Sequence, residues 1–474
     1  MSHPVPASDE RLEHGASALR QRIGMVVALG GLVTAVVVAL TVDGQLGMWG
    51  LFPVVVYAVL VLLELNVVLS TAIALLVALV MSRTTPVEAG TLMSESLGSF
   101  IAVVGLIIML GGGLGAVASE TGAARTLVAV LLRRVGMSTP GRAQVGIMLA
   151  STVLVGALGT LAGANAILAP LVIPVAAAAS RSRPAVAIML HTAGAAGLVI
   201  GPYTPPVVSI MRAAEISYVD YLLHAGLPMA VVVWGVGFVM ARVIHRRTAG
   251  DQYEEEVAAR SELDRPSTAS EKRAALAFIG TILVMTALGI WLEPGFTWAI
   301  VTMLVTTVTT ALAAGLAAPR VMDAFFRGAG SLVWLFLLFW LFNPLLVVME
   351  GSGAYESMLS ALEPTLESVG PWGFLMLVLV VGWIGIAGAA VAQVVLINQL
   401  FAPLAMSLGI PPGLWAAALL GGSQIDWFGP FPNADMIAQM GLARSSNLKM
   451  MLINGWTVMA ATLVMFAALF LLVL

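Results

Sequence analysis

The chain has 474 residues, 60% of them hydrophobic and 10% charged, with a net charge of −3 and no cysteine; its mean hydropathy is +1.01. So few charges over that length exclude a soluble globular protein. They leave an all-α polytopic membrane protein, whose serial apolar runs of about 20 residues are transmembrane helices. The absence of cysteine excludes disulfides, thiolate metal sites and a cysteine nucleophile.

In chain order, residues 1–22 form a polar tail carrying Arg20 and Arg22. The apolar run Ile23–Thr41 follows without a small-residue cleavage site. Residues 23–46 therefore read as an extra first transmembrane helix and its loop rather than a signal peptide. Residues 47–243 make up a first repeat. Within it, "GALGTLAGANA" is built of small, nearly neutral residues, unlike a loop in water. Polar backbone at membrane depth is tolerated only inside protein or against a water-filled cavity, so residues of about 143–180 are expected to form a re-entrant hairpin. The next apolar run ends in "GPYTPP", residues 201–206, where three prolines and a glycine cannot continue a helix. Residues 244–273 mix both charge signs with few apolar side chains and read as a cytoplasmic linker. A second repeat fills 274–474, with a hairpin at about 371–408 and a broken helix at "GPFPNA", 429–434.

The two repeats align at an offset of about 229 residues. Glu64 meets Glu293, "ETGAARTLVAVL" meets "GSGAYESMLSAL", the two hairpins coincide, and "GPYTPP" falls on "GPFPNA". Arg125, Arg133, Arg134 and Arg142 follow the first of the "ETG" elements, whereas its counterpart has Glu356, Glu363 and Glu367 with no Lys or Arg. Lys and Arg gather on the cytoplasmic side, so equivalent elements face opposite sides and the repeat is inverted. About 11 transmembrane helices plus two re-entrant hairpins, with the N-terminus cytoplasmic and the C-terminus outside, place all but Arg83 and Arg212 of the 22 basic residues inside. Inverted repeats with paired breaks describe a secondary transporter, in which half-helix ends and freed backbone groups hold solute and ion at the midplane.

"GPYTPPVVSIMRAAEISYVDYLLHAGLP" resembles the proline-proline loop and following helix of the large membrane subunit of TRAP transporters. It also resembles the corresponding loop of the divalent anion/sodium symporters, and "LGGGLGAVASETG" is similar to the segment before their first hairpin. Both groups belong to the ion transporter superfamily, and the resemblance covers most of residues 47–474. It implies an eleven-helix, two-hairpin fold, a homodimer, and an elevator movement of a transport domain against a scaffold. One departure stands out. The symporters carry Ser-Asn-Thr at each hairpin tip, where this chain reads "AGANA" (162–166) and "AAVAQ" (389–393).

The candidate substrate residues are Asn165 and Gly163 in the first hairpin, Thr204 at the first break, Gln393 near the second tip and Asn433 at the second break. Each also has a bland role: asparagine satisfies turn carbonyls, and Thr204 and Asn433 stand where a helix cap belongs. Asp426 and Asp435 flank the second break, where the first repeat has Leu198 and Val207. A carboxylate at that depth costs about 3 kcal/mol by insertion scales, which marks an ion or proton path. Ser423 and Gln424 add oxygens suited to Na⁺ one turn earlier; a buried carboxylate could carry a proton instead. Arg212 could meet an anionic solute, but Glu215 at i+3 is placed to neutralise it. His191 reads as a packed histidine, and Glu64 and Glu293 as structural.

These features predict cation-coupled (Na⁺ or H⁺) symport of a small organic anion such as a carboxylate. Na⁺/H⁺ antiport is the alternative, and the membrane subunit of a TRAP-type system a third. No cofactor is expected beyond the transported cation, and no nucleic acid; the chain belongs in a bacterial inner membrane. An enzyme is not expected. An aspartyl protease needs acids on two facing helices, and no His-Glu-x-x-His is present.

Overall fold

The computed structural model describes residues 7–63, 65–136, 139–254, 265–384 and 390–474. Apart from one isolated bridge between Ser182 and Gln252, the regular structure among them is helical. We number the longer helices α1 (Ala7–Thr41), α2 (Phe52–Leu62), α3 (Val67–Met81), α4 (Pro86–Glu95), α5 (Phe100–Glu120), α6 (Ala123–Val135) and α7 (Pro140–Leu158). The series continues with α8 (Leu161–Ala178), α9 (Arg183–Ile200), α10 (Pro205–Ala213), α11 (Leu227–Arg247), α12 (Ala269–Leu292), α13 (Trp298–Ala314) and α14 (Ala318–Gly330). It ends with α15 (Val333–Gly351), α16 (Ala354–Ile384, two helical pieces joined at Gly370, whose φ of 67° is not helical), α17 (Ala390–Ser407), α18 (Pro412–Ser423), α19 (Ala434–Leu442) and α20 (Leu448–Val473).

Among the described residues, nine helical segments are long and apolar enough to cross a membrane. Five more apolar helices, such as Val67–Met81 and Trp298–Ala314, are shorter. Half-length helices at breaks and hairpins are why a helix count and a span count differ. The first helix begins at Ala7 rather than at the apolar run, because the preceding residues are rich in Glu, Arg, Leu, Ala and Gln, all good helix formers. The linker is likewise trimmed: α11 runs to Arg247, and α12 starts behind a capping box between Thr268 and Glu271. Residues 255–264 of the linker, Glu64, and residues 385–389, which lead into the second hairpin tip, lie outside the described residues.

Two compact units divide the chain. One comprises the chain up to Val103 with Leu337–Ser368. Its core joins Ala35 and Val38 of α1, Val56 and Leu60 of α2, and Val77 and Met81 of α3. Trp340 Nε1 donates to the Met93 carbonyl at 2.8 Å, and Asn343 to Ser96 Oγ at 2.9 Å, fastening α15 to the end of α4.

The other unit, Val104–Phe336 with Val369–Leu474, holds both hairpins and both breaks. At its centre is α9, buried from Pro184 to Val199. A helix apolar on all sides needs neighbours on all sides, and α7, α8, α10, α11, α19 and α20 supply them. Helices α7 and α9 meet backbone to backbone: a Cβ on Gly197 would strike the Thr152 carbonyl, and one on Gly201 the Gly156 carbonyl. In the second half, a Cβ on Gly382 of α16 would lie 2.6 Å from Gly422 Cα of α18. Small residues permit this approach where apolar burial alone does not drive helices together.

Candidate functional site

The first hairpin closes at Gly159, whose left-handed conformation (φ 72°) turns α7 into α8. That turn rests on the first break: a Cβ on Gly159 would lie 3.6 Å from Thr204 Cα and 3.7 Å from Pro205 Cδ. Across the break, the carbonyls freed at the end of α9 are all covered. Thr204 Oγ1 lies 2.6 Å from the Leu198 carbonyl and 2.9 Å from that of Gly201. Tyr221 donates to the Val199 carbonyl at 2.8 Å and Tyr218 to that of Ile200 at 2.5 Å. Thr204 occupies the N-cap position of α10 without capping it, and α10 opens with two prolines, which have no N–H to offer.

The second break is built differently. The Trp427 carbonyl accepts two hydrogen bonds at 2.9 Å, one from Asn433 Nδ2 and one from His191 Nε2 of α9. Asn433 also caps α19, accepting from the Met436 N–H at 2.8 Å. Asp426 Oδ2 accepts from the N–H of Ala390, the first residue of α17, at 3.1 Å. A hairpin helix therefore starts on the second break, as the first hairpin turns on the first. Asp435 lies in the first turn of α19, half-buried, with no ion-pair or hydrogen-bond partner among the described residues. Ser423 Oγ donates to the Leu420 carbonyl at 3.1 Å. Gln424 is engaged at both ends, donating to the Gly421 carbonyl at 2.8 Å and accepting from Thr462 Oγ1 at 2.7 Å.

Amides pin each hairpin to the helix before a break. Asn165, fully buried, donates to the Leu190 carbonyl and to Gln439 Oε1, both at 2.9 Å, and accepts from Ser151 Oγ at 2.8 Å. Both amide hydrogens and one of the two acceptor sites on Oδ1 are thus engaged with α7, α9 and α19. Gln393 Nε2 donates to the carbonyls of Gly382 and, at 3.1 Å, Gly422, while its buried Oε1 has no partner among the described residues. Gly163 is exposed on α8. The elements also interlock across the halves: α10 packs on α17 and α18, and α19 on α8 and α9.

Two cavities open from this unit. The larger, about 930 Å³, is lined by Pro202 and Tyr203 of the first break and by Arg212, Tyr218, Glu293 and Trp298, among others. The pairing expected between Arg212 and Glu215 does not form. Helix α10 ends at Ala213 and Glu215 takes a left-handed φ of 52°, so helical i+3 geometry no longer applies. The smaller cavity, about 590 Å³, runs along α8 past Ala166, Ile167 and Pro170 to Arg125, Arg265 and Glu271.

Sequence reasoning missed Tyr218, Tyr221, Ser151 and Gln439, and undervalued His191. The tyrosines lie in the stretch quoted for its resemblance, and their hydroxyls near a proline break were the available signal. Nothing local marks Gln439 as the partner of an asparagine 274 residues away.

Residues 57–421 match the family described as "CitMHS: Citrate transporter". The fold is similar to the Alcanivorax borkumensis YdaH transporter, whose crystal structure is described as revealing an unusual topology. The TM-score is 0.56 and the identity 15%, over 82% of this chain and 89% of that one. At that identity the likeness is one of fold. No curated protein matches the sequence.

Proposed function

The chain belongs to the citrate transporter family, and from that premise we propose that it carries small carboxylates such as citrate, coupled to entry of Na⁺ or H⁺. It is a secondary transporter of the ion transporter superfamily and an integral membrane protein. In this reading Asp426 and Asp435 receive the coupling cation, with Ser423 and Gln424 supplying nearby oxygens. Asn165, Gly163, Thr204, Gln393 and Asn433 frame the substrate, mainly by holding hairpins and breaks in position around it. The observation that carries the reading is the unequal pair of breaks. Both are met by a hairpin, the first is sealed by three hydroxyls, and the second keeps two carboxylates. An elevator movement in a homodimer, in a bacterial inner membrane with the N-terminus inside and the C-terminus outside, completes the proposal.

The test is uptake of labelled citrate into proteoliposomes under imposed Na⁺ or proton gradients. Saturable uptake that one gradient drives, and that Asp435→Asn uncouples from the gradient, is the expected result. Antiport is the second reading, favoured by the absence of an ion-pair partner for Asp435 among the described residues. It would appear as proton efflux on adding Na⁺ outside with no citrate present, lost in Asp426→Asn or Asp435→Asn.

A further inference from the structure

At the end of the smaller cavity, two guanidinium groups share one carboxylate. Arg125, in the first turn of α6, donates to Glu271 Oε2 at 2.9 Å; Arg265, in the linker, donates to Glu271 Oε1 at 2.6 Å. The side chains of Arg125 and Glu271 are only 12% and 14% exposed, whereas that of Arg265 is 53% exposed. Among the described residues, two guanidinium groups thus converge on one carboxylate, and Arg125 also donates to the Arg265 carbonyl and to Ser267 Oγ, both at 3.4 Å. The other acid on the cavity wall, Glu120, lies 3.7 Å from Arg327 and is met there. The Glu271 carboxylate also lies against the turn before α6, where a Cβ on Gly122 would come 2.9 Å from Oε1. Beside it the cavity has room for a small ligand, about 590 Å³, within the size range of small-molecule pockets. One wall is α8, the second helix of the first hairpin.

Resting on the carboxylate reading above, we infer that this corner is a second carboxylate-binding site on the linker side of the hairpin. In this conformation it is occupied by the chain's own Glu271. Two arginines placed on both oxygens of one carboxylate give the planar, charge-assisted recognition that a free carboxylate requires. A pair of guanidinium groups suits a ligand with more than one carboxylate, and a di- or tricarboxylate displaces Glu271 from the clamp. Glu271 already caps α12 from the clamp, its Oε2 accepting from the Thr268 N–H at 2.8 Å, and after displacement it keeps that capping role alone.

That second role makes a clean test available. Gln at the same position of a capping box keeps the helix start, so Glu271→Gln removes the self-ligand's charge without removing the cap. The experiment titrates the purified full-length protein with citrate by calorimetry and follows thermal unfolding in parallel. Glu271→Gln is expected to bind citrate about 5–10-fold more tightly, and Arg265→Gln about 5–10-fold more weakly, as loss of a charge-assisted contact implies. Arg125→Gln should weaken binding too. If it fails to fold, as removal of one member of a buried ion pair can cause, the half-exposed Arg265 still decides the matter. Affinities for Glu271→Gln and Arg265→Gln that both stay near the wild-type value, with lower thermal stability, would show a structural latch and overturn the site. A wild-type protein that neither binds nor transports citrate would instead overturn the carboxylate reading, and the site with it.

Discussion

The side chains at the two breaks mostly satisfy backbone, and this changes what their substitution should do. Thr204 bridges the carbonyls of Leu198 and Gly201 from a buried position. Thr204→Val leaves both without that hydroxyl, at a cost of about 1–3 kcal/mol for an unpaired buried group. Thermal unfolding should register this loss while the citrate KM stays near its wild-type value; a raised KM with normal stability would mean direct contact with substrate. Asn165 makes two interhelical donations, each worth about 0.6–2 kcal/mol in a bilayer. Asn165→Ala should therefore lower stability by roughly 1–4 kcal/mol, and Ser151→Ala by less, since only the acceptor side of the amide loses its partner.

Helix α9 owes its place to glycines. Gly197 and Gly201 face carbonyls of α7 with no space for a methyl group, so Gly197→Ala must separate α7 from α9, with an overpacking cost of about 1–3 kcal/mol. Gly235 on α11 has nothing within 4 Å of its missing Cβ, and Gly235→Ala should be neutral or slightly stabilising. Transport and melting temperature should both fall in the first variant and persist in the second. The sequence announced the positions of α9's neighbours well, because prolines and small residues act locally: "GPYTPP" ends one helix and starts another, and Gly159 turns the hairpin. What it could not announce is satisfaction at a distance. The broken helix suggested open carbonyls awaiting a ligand, yet Tyr218 and Tyr221 return from a later turn to cover them. Arg212 and Glu215 had helical spacing but lie on either side of a helix end.

For the molecule as a whole, a lack of cysteine makes orientation directly measurable. Single cysteines at Gly250, where the missing Cβ meets open space, and at Leu474 give a chain with one reactive thiol each. In right-side-out vesicles, an impermeant maleimide should label Leu474→Cys readily and Gly250→Cys only after permeabilisation. The reverse pattern would invert the proposed topology. Asn165 and Gln439, joined by one hydrogen bond, are 274 positions apart. At translation rates of about 5–20 residues per second, roughly 14–55 s separate the synthesis of the two amides. Until then the first hairpin stands in the bilayer with Asn165 lacking one of its partners, and the Trp427 carbonyl that His191 bonds has not been made. The first half is thus committed to the membrane before it can close, and a chain truncated ahead of α19 should be a substrate for membrane quality-control proteases rather than a smaller transporter.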